Sequence, residues 1–356
     1  MSKKLQGVKS KASTRPLVLA EKLGFSLRSP NAPLGEKLRE RLWKWDRKCI
    51  QTRSSSAETH GIHFFPIKHG LQTREYYVYV PPSYDEKKPT PVVLNFHGGG
   101  GSAEGHMRMT MMNEKSDSAG FIVVYPRGTG KNSRAIFNRF WNFASGPNGL
   151  YHDDPFFAKV DDVGFVNLLL DDLEAKFNVE KKEVYATGFS NGGILCHFLA
   201  CKLSVRIAAI APVAGPFWMH PDSCNPTRPV PVLYFHGTGD VCAPYNGGLS
   251  ACEAGISKTG RVFVSVKDTV SIWIKKNQCP FEPEITHQKG EVVCKTYGPG
   301  SDNSEVTVCT IEGGGHTWPG GLPYRIPGFK VGTVTQDINA NDAMWEFFKR
   351  HPMSKE

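Results

Sequence analysis

An α/β protein with a doubly wound, mostly parallel sheet flanked by helices is the fold class that the sequence predicts. Two features carry this. Beyond about residue 59, apolar and β-branched runs alternate with segments whose apolar residues recur at helical spacing. Three of the buried runs end in glycine-rich loops. In open sheets of this kind ligands bind beyond the carboxyl ends of the strands, so the chemistry is to be sought in those loops.

Taken in order, residues 1–30 are irregular, with Lys, Ser and Pro scattered among aliphatics. The segment 34–49 (LGEKLRERLWKWDRKC) places Leu34, Leu38, Leu42 and Trp45 on one face and predicts a short helix. HGIHFFPI and REYYVYVPPSY read as paired strands, the second closed by Pro81-Pro82. PVVLNFHGGGG is continuously apolar until its glycines, the pattern of a strand buried on both faces. MRMTMMNEKSDSAG follows as one helix and FIVVYPRG as another buried strand. VDDVGFVNLLLDDLEAKF is a helix, EVYATGFSNGG a strand, and GILCHFLACKLS a helix. IAAIAPVAG and PVPVLYFHGTGD are strands, VSVKDTVSIWIKKN a helix and THQKGE a polar hairpin. SEVTVCTIEGGGH is the last strand and NDAMWEFFKRH the last helix. The expected organisation is a basic extension over 1–58 with one helix, then a single domain over 59–356.

The formal charge of +9 belongs to the extension. Residues 1–60 hold 14 Lys or Arg against 5 Asp or Glu, while the remainder carries 29 of each. A solvated arm is expected, with a targeting segment or an anionic-surface patch as the alternative. Nucleic acid is not an expected partner. No run of eighteen apolar residues occurs, so no membrane span is expected. PLVLA at 16–20 is too short for the core of a secretory signal, and Glu21-Lys22 interrupts it. Cytoplasmic location is therefore the default expectation, with export or organelle targeting left open, and the nine cysteines are expected as reduced thiols. In an exported protein, Cys201 with Cys224, or the group Cys279, Cys294 and Cys309, could supply a disulfide. No CxxC pair occurs, and neither a metal nor a cofactor is expected.

Gly188-Phe189-Ser190-Asn191-Gly192 fits G-x-S-x-G between a buried strand and a helix, the setting of a nucleophile elbow. A nucleophilic serine needs a base, and in this arrangement an acid and then a histidine follow it in the chain. His197, His220, His236, His287, His316 and His351 lie beyond Ser190. His197 falls inside the next helix, His287 in the hairpin and His351 at the terminal helix. His316, in IEGGGHTWPGG, follows the last strand on three glycines that read as a mobile loop. The acid must lie between them at a strand end, and Asp240 in FHGTGD does so; Asp222, Asp268 and Asp302 do not. HGGGGS at 97–102 supplies backbone donors for an oxyanion, with Gly99, and also Gly100, paired to the Asn191 amide. No G-x-x-x-x-G-K-[ST] occurs, and HGGGGSAEG lacks the later strand-end acid of a dinucleotide site. VDDVGF opens a helix, where Asp161 or Asp162 reads as a cap rather than a metal ligand. Trp141, Trp318 and Tyr245 are the candidates for lining a substrate pocket.

Together, FHGGGGSAEG, VYPRGTG, WNF, VDDVGF, VYATGFSNGG, RIAAIAPVAG, FHGTGD, PYNGG and GGGHTWPGG resemble the polyhydroxybutyrate depolymerase and feruloyl esterase family of α/β-hydrolases. They span roughly residues 75 to 350 in that family's order. The resemblance implies an α/β-hydrolase fold, a serine esterase, and Ser190, Asp240 and His316 as nucleophile, acid and base. It departs from many relatives in its basic extension, in the segment 142–159 and in VCAPY after Asp240. A small-molecule or oligomeric ester is the expected substrate, and the oligomeric state is left open. The rival readings are a serine peptidase or acyltransferase with the same triad, and a non-catalytic binding protein on this scaffold.

Overall fold

A ten-stranded sheet runs through the computed structural model, which describes residues 60–130, 139–142, 160–252, 262–324 and 331–354. The expected helix at 34–49 and the rest of the basic extension lie outside the described residues. In chain order the strands are β1 (Gly61–His69), β2 (Gln72–Val80), β3 (Thr90–Phe96), β4 (Ile122–Pro126), β5 (Val179–Phe189), β6 (Ala209–Val213) and β7 (Val232–Gly237). The short β8 (Gly248–Leu249) and β9 (Val262–Phe263) pair with each other, and β10 (Glu284–Lys289), β11 (Val292–Tyr297) and β12 (Val306–Ile311) complete the main sheet. Helices are α1 (Ala103–Thr110), α2 (Met112–Ala119), α3 (Asp162–Lys176), α4 (Asn191–Lys202), α5 (Val266–Asn277) and α6 (Ala340–Arg350).

The strand order is β1-β2-β4-β3-β5-β6-β7-β12-β11-β10. From β4 through β12 neighbouring strands run parallel, as the continuous apolar runs require of strands covered on both faces. An antiparallel hairpin extends each edge. Because β3, β5, β7 and β12 run in one direction, their carboxyl ends share one edge of the sheet. α4 packs beneath that edge with every residue from Asn191 to Cys201 buried.

One expected helix is two. Ser102 Oγ accepts the Gly105 amide at 3.1 Å and starts α1 before the expected point. The chain then breaks at Met111, whose φ of 53° is left-handed. The break frees two carbonyls that other segments take up: Met109 O accepts the Leu322 amide at 2.8 Å, and Thr110 O accepts Asn341 Nδ2 at 2.7 Å. Tertiary partners here outweigh the local preference for a continuous helix. At α3 the two aspartates divide their work. Asp161 caps the helix by accepting the Gly164 amide at 2.8 Å. Asp162 is buried, 2.5 Å from Arg74 and 2.6 Å from the Asn142 amide.

Six cysteines are paired: Cys201–Cys224, Cys242–Cys252 and Cys294–Cys309. This corrects the expectation of reduced thiols. Cys294 and Cys309 are direct cross-strand partners on β11 and β12, a relation that exists only once the register is set. Cys196 and Cys279 are free and buried. Titration of the denatured, unreduced protein should find no more than three thiols, those of Cys196, Cys279 and Cys49 (which lies outside the described residues). Nine would mean that the pairs do not form.

His97, His106 and His197 are buried in the core. His97 Nδ1–H donates to Gly98 O at 2.8 Å while Nε2 accepts the Gly128 amide at 3.0 Å. His197 Nδ1 accepts Trp273 Nε1–H at 2.9 Å, and its Nε2–H donates to Gly215 O at 3.0 Å. Each is thereby held in one neutral tautomer. Burial pushes both down to about 4, and pushes His106 well below the ordinary value. Unfolded imidazoles titrate near about 6.5, so between there and about 4 the unfolded chain binds more protons than the folded one. Stability therefore falls as pH drops through that window. Calorimetry should show Tm declining from pH 6.5 to 4, with a shallower decline in His197→Gln; a flat profile would contradict the neutral assignment.

Candidate active site

The turn from β5 into α4 leaves no room for side chains. A Cβ on Gly192 would stand 2.3 Å from Phe96 O, and one on Gly188 would stand 2.6 Å from Gly192 C. Glycine at 192 is thus required by strand β3 rather than by the following helix. On the other side, a Cβ on Gly215 would meet Ser190 O at 2.4 Å. Squeezed between them, Ser190 takes φ 55° and ψ −117°, and its amide donates to Val213 O at 2.8 Å. Such a conformation costs about 1–3 kcal/mol and persists where the surroundings impose it. As the residue before α4, Ser190 stands at a helix N-terminus whose first amides have no partner within the helix.

The glycine loop after β3 sits against this turn. A Cβ on Gly98 would be 3.5 Å from Ser190 Cβ, and one on Gly99 would be 3.4 Å from Asn191 Cβ. Gly99 and the start of α4 are therefore neighbours. Gly100 must be withdrawn as an oxyanion donor, because its amide is committed to Arg139 O at 2.8 Å. Arg139 in turn donates to Gly128 O at 3.0 Å, which ties the loop to the next strand end. The Asn191 side chain has a second task that the sequence did not reveal. Its Oδ1 accepts the Trp141 amide at 2.7 Å and its Nδ2 donates to Trp141 O at 3.3 Å.

At the ends of β7 and β12, His316 Nδ1 lies 2.7 Å from Asp240 Oδ2. Both side chains are buried. Asp240 Oδ1 accepts the Cys242 and Ala243 amides, each at 2.8 Å. Burial alone would raise this carboxyl, yet the charge of His316 and bonds from His236 and His316 hold it well below the carboxylate range. With Nδ1–H donated to Asp240, the basic nitrogen of His316 is Nε2. The imidazole packs on Phe189, the residue before Ser190, with ring centroids 4.7 Å apart. Tyr324, which the sequence reading missed, braces it by donating its hydroxyl to His316 O at 2.7 Å and lying edge-on to Phe189.

The glycines before His316 do not form the mobile loop expected. A Cβ on Gly237 would be 2.1 Å from Gly314 O, and one on Gly315 would be 2.0 Å from Val331 O. The Thr238 and Gly239 amides donate across to Ile311 O and Gly314 O, both at 2.9 Å. Gly237, Gly314 and Gly315 serve close packing, while Gly313 is exposed and takes a left-handed φ of 66°. Asp240, Cys242 and His316 also cluster in the manner of a metal site, but the Cys242 sulfur is held in a disulfide, so the trio offers no thiolate.

The expected pocket-lining residues are likewise corrected. Trp141 is fully buried, donates Nε1–H to His97 O at 2.8 Å and packs on Phe96 and His97. Trp318 is buried against His106 and bonded to Asn341. Tyr245 joins Thr310 through its hydroxyl at 2.8 Å and lies edge-on to His236. Trp141 and Trp318 are packing residues, whereas Tyr245 is partly exposed.

Comparison with known proteins agrees with this architecture. The "Putative esterase NocK" of Nocardia uniformis subsp. tsuyamanensis is 29% identical over 78% of this chain and 79% of its own length. Feruloyl esterase B of Piromyces equi is 31% identical over 68% of this chain, which spans only 42% of that enzyme. An acetyl xylan esterase from Aspergillus awamori shares the fold at a TM-score of 0.52 and 14% identity, covering 81% of this chain and 99% of that one. The phospholipase/carboxylesterase family matches residues 83–268, just over half the chain, from the entry to β3 as far as α5. With a mostly parallel sheet and a strained serine turn at its carboxyl edge, the chain belongs to that family and is a carboxylic ester hydrolase of the α/β-hydrolase fold.

Proposed function

We propose that the chain cleaves esters through an acyl-enzyme formed on Ser190. The observation that carries this reading is the Asp240–His316 pair, fixed at 2.7 Å and packed on Phe189 beside the strained Ser190. His316 Nε2 takes the Ser190 proton as Oγ attacks the ester carbonyl. The imidazolium that forms is stabilised by the Asp240 carboxylate. Gly99 and Asn191 amides receive the oxyanion, and each such donor is worth about a hundredfold or more in rate. Collapse of the intermediate expels the alcohol, protonated by His316. The same imidazole then deprotonates a water that attacks the acyl-enzyme, releasing the acid and restoring Ser190.

The substrates proposed are soluble esters and ester oligomers, with polyesters as the extension. Hydroxycinnamate esters head the list because a relative named feruloyl esterase B matches over 68% of this chain. No observation favours the peptidase or acyltransferase reading, and comparing p-nitrophenyl esters with peptide anilides separates them. Ser190→Ala should lower kcat by at least about 10⁴-fold and abolish fluorophosphonate labelling, with the folded state retained. Labelling that survives the substitution, or unchanged hydrolysis, would sink the assignment.

A further inference from the structure

His236, near the end of β7, has no part in the chemistry just described, yet it stands beside the same carboxylate oxygen that receives His316. Its side chain and that of Asp240 are both completely enclosed. Nε2 lies 2.7 Å from Ala243 O and 3.4 Å from Asp240 Oδ2, while Nδ1 lies 2.6 Å from the Tyr234 hydroxyl. A carbonyl can only accept, so the proton of the neutral imidazole resides on Nε2. Nδ1 is then an acceptor, and the Tyr234 hydroxyl donates to it. Tyr234 is itself fully buried.

The Nε2–H therefore bonds Ala243 O at 2.7 Å, with the carboxylate oxygen that receives His316 standing 3.4 Å from the same nitrogen. Ala243 returns the contact, since its amide donates to Asp240 Oδ1. His236 thus bonds the turn that cradles the carboxylate, and its ring stands beside the carboxylate itself.

We propose that His236 is a positioning residue of this esterase. Through Nε2–H it holds the Asp240 turn so that Oδ2 presents to His316, and Tyr234 keeps it in the required tautomer. The inference rests on the triad reading above, and the test keeps the two apart. Kinetics on p-nitrophenyl acetate would be measured for H236N, H236Q, Y234F, D240N and the H236N/D240N double variant, with circular dichroism to verify folding. A Gln amide can reach the Nε2 position and donate there; an Asn amide is too short.

H236N is expected to lower kcat about ten- to a hundredfold, the order that misplacing a reacting group by up to about 1 Å produces, with KM unchanged. H236Q should recover to within a few-fold of wild type, and Y234F should show a smaller loss than H236N. In the D240N background H236N should have no further effect, because the residue acts only through that acid. Losses that multiply in the double variant, or a loss confined to KM, would overturn the inference. If H236N does not fold, Y234F and its double with D240N carry the same comparison. If D240N alone keeps wild-type kcat, the triad reading itself falls and His236 loses its role with it.

Discussion

Phe96 O lies 2.3 Å from where a Cβ of residue 192 would project, and the rest of the site depends on that closeness. It presses the first turn of α4 onto the end of β3. It thereby brings the Asn191 amide beside Gly99 and forces Ser190 into a backbone conformation that L-residues rarely adopt. The Ser190 amide bonded to Val213 O and the carbonyl of Ser190 packed against Gly215 close the turn from the β6 side. Strain of about 1–3 kcal/mol is small beside the burial of the largely apolar strands β3 and β6 on either side, so the turn is held by the sheet rather than by its own preference.

The acid and base loops are fixed in the same manner. Gly237 faces Gly314 O, Gly315 faces Val331 O, and the amides of Thr238 and Gly239 cross to the opposite loop. These contacts bring Asp240 and His316 together from strands that are neighbours in the sheet. A carboxylate buried here would be expensive unless hydrogen-bonded throughout. Asp240 meets that need with the Cys242 and Ala243 amides and His316, with His236 close by. Its ionised form is therefore the resting form, ready to stabilise an imidazolium with little rearrangement.

Much of this was legible in the sequence, and the parts that were not share a physical cause. The apolar runs and glycine punctuation identified the parallel strands, and the order Ser190, Asp240, His316 followed from the strand ends on which they sit. Burial of Trp141 and Trp318 was not legible, because an aromatic next to a motif residue looks the same whether it faces a ligand or the core. The commitment of the Gly100 amide to Arg139 depends on a strand-end contact far away in sequence. The break at Met111 depends on Leu322 and Asn341. Cys294 and Cys309 become partners only through the β11–β12 register. Local periodicity contains none of these relations.

Across the site, the geometry is set mainly by backbone: glycine contacts, strand-end carbonyls and helix-start amides. Side chains intervene at few points, among them His97, Arg139 and Asn191 behind the oxyanion loop, Tyr324 behind His316 and His236 behind Asp240. A frame of this kind makes limited demands on residue identity elsewhere, which accords with a fold shared with an acetyl xylan esterase at only 14% identity. The reacting groups are anchored to the sheet by contacts that tolerate no added atom. Trp141 and Trp318 belong to the same frame, because each already has its hydrogen bond and its packing partners within the fold.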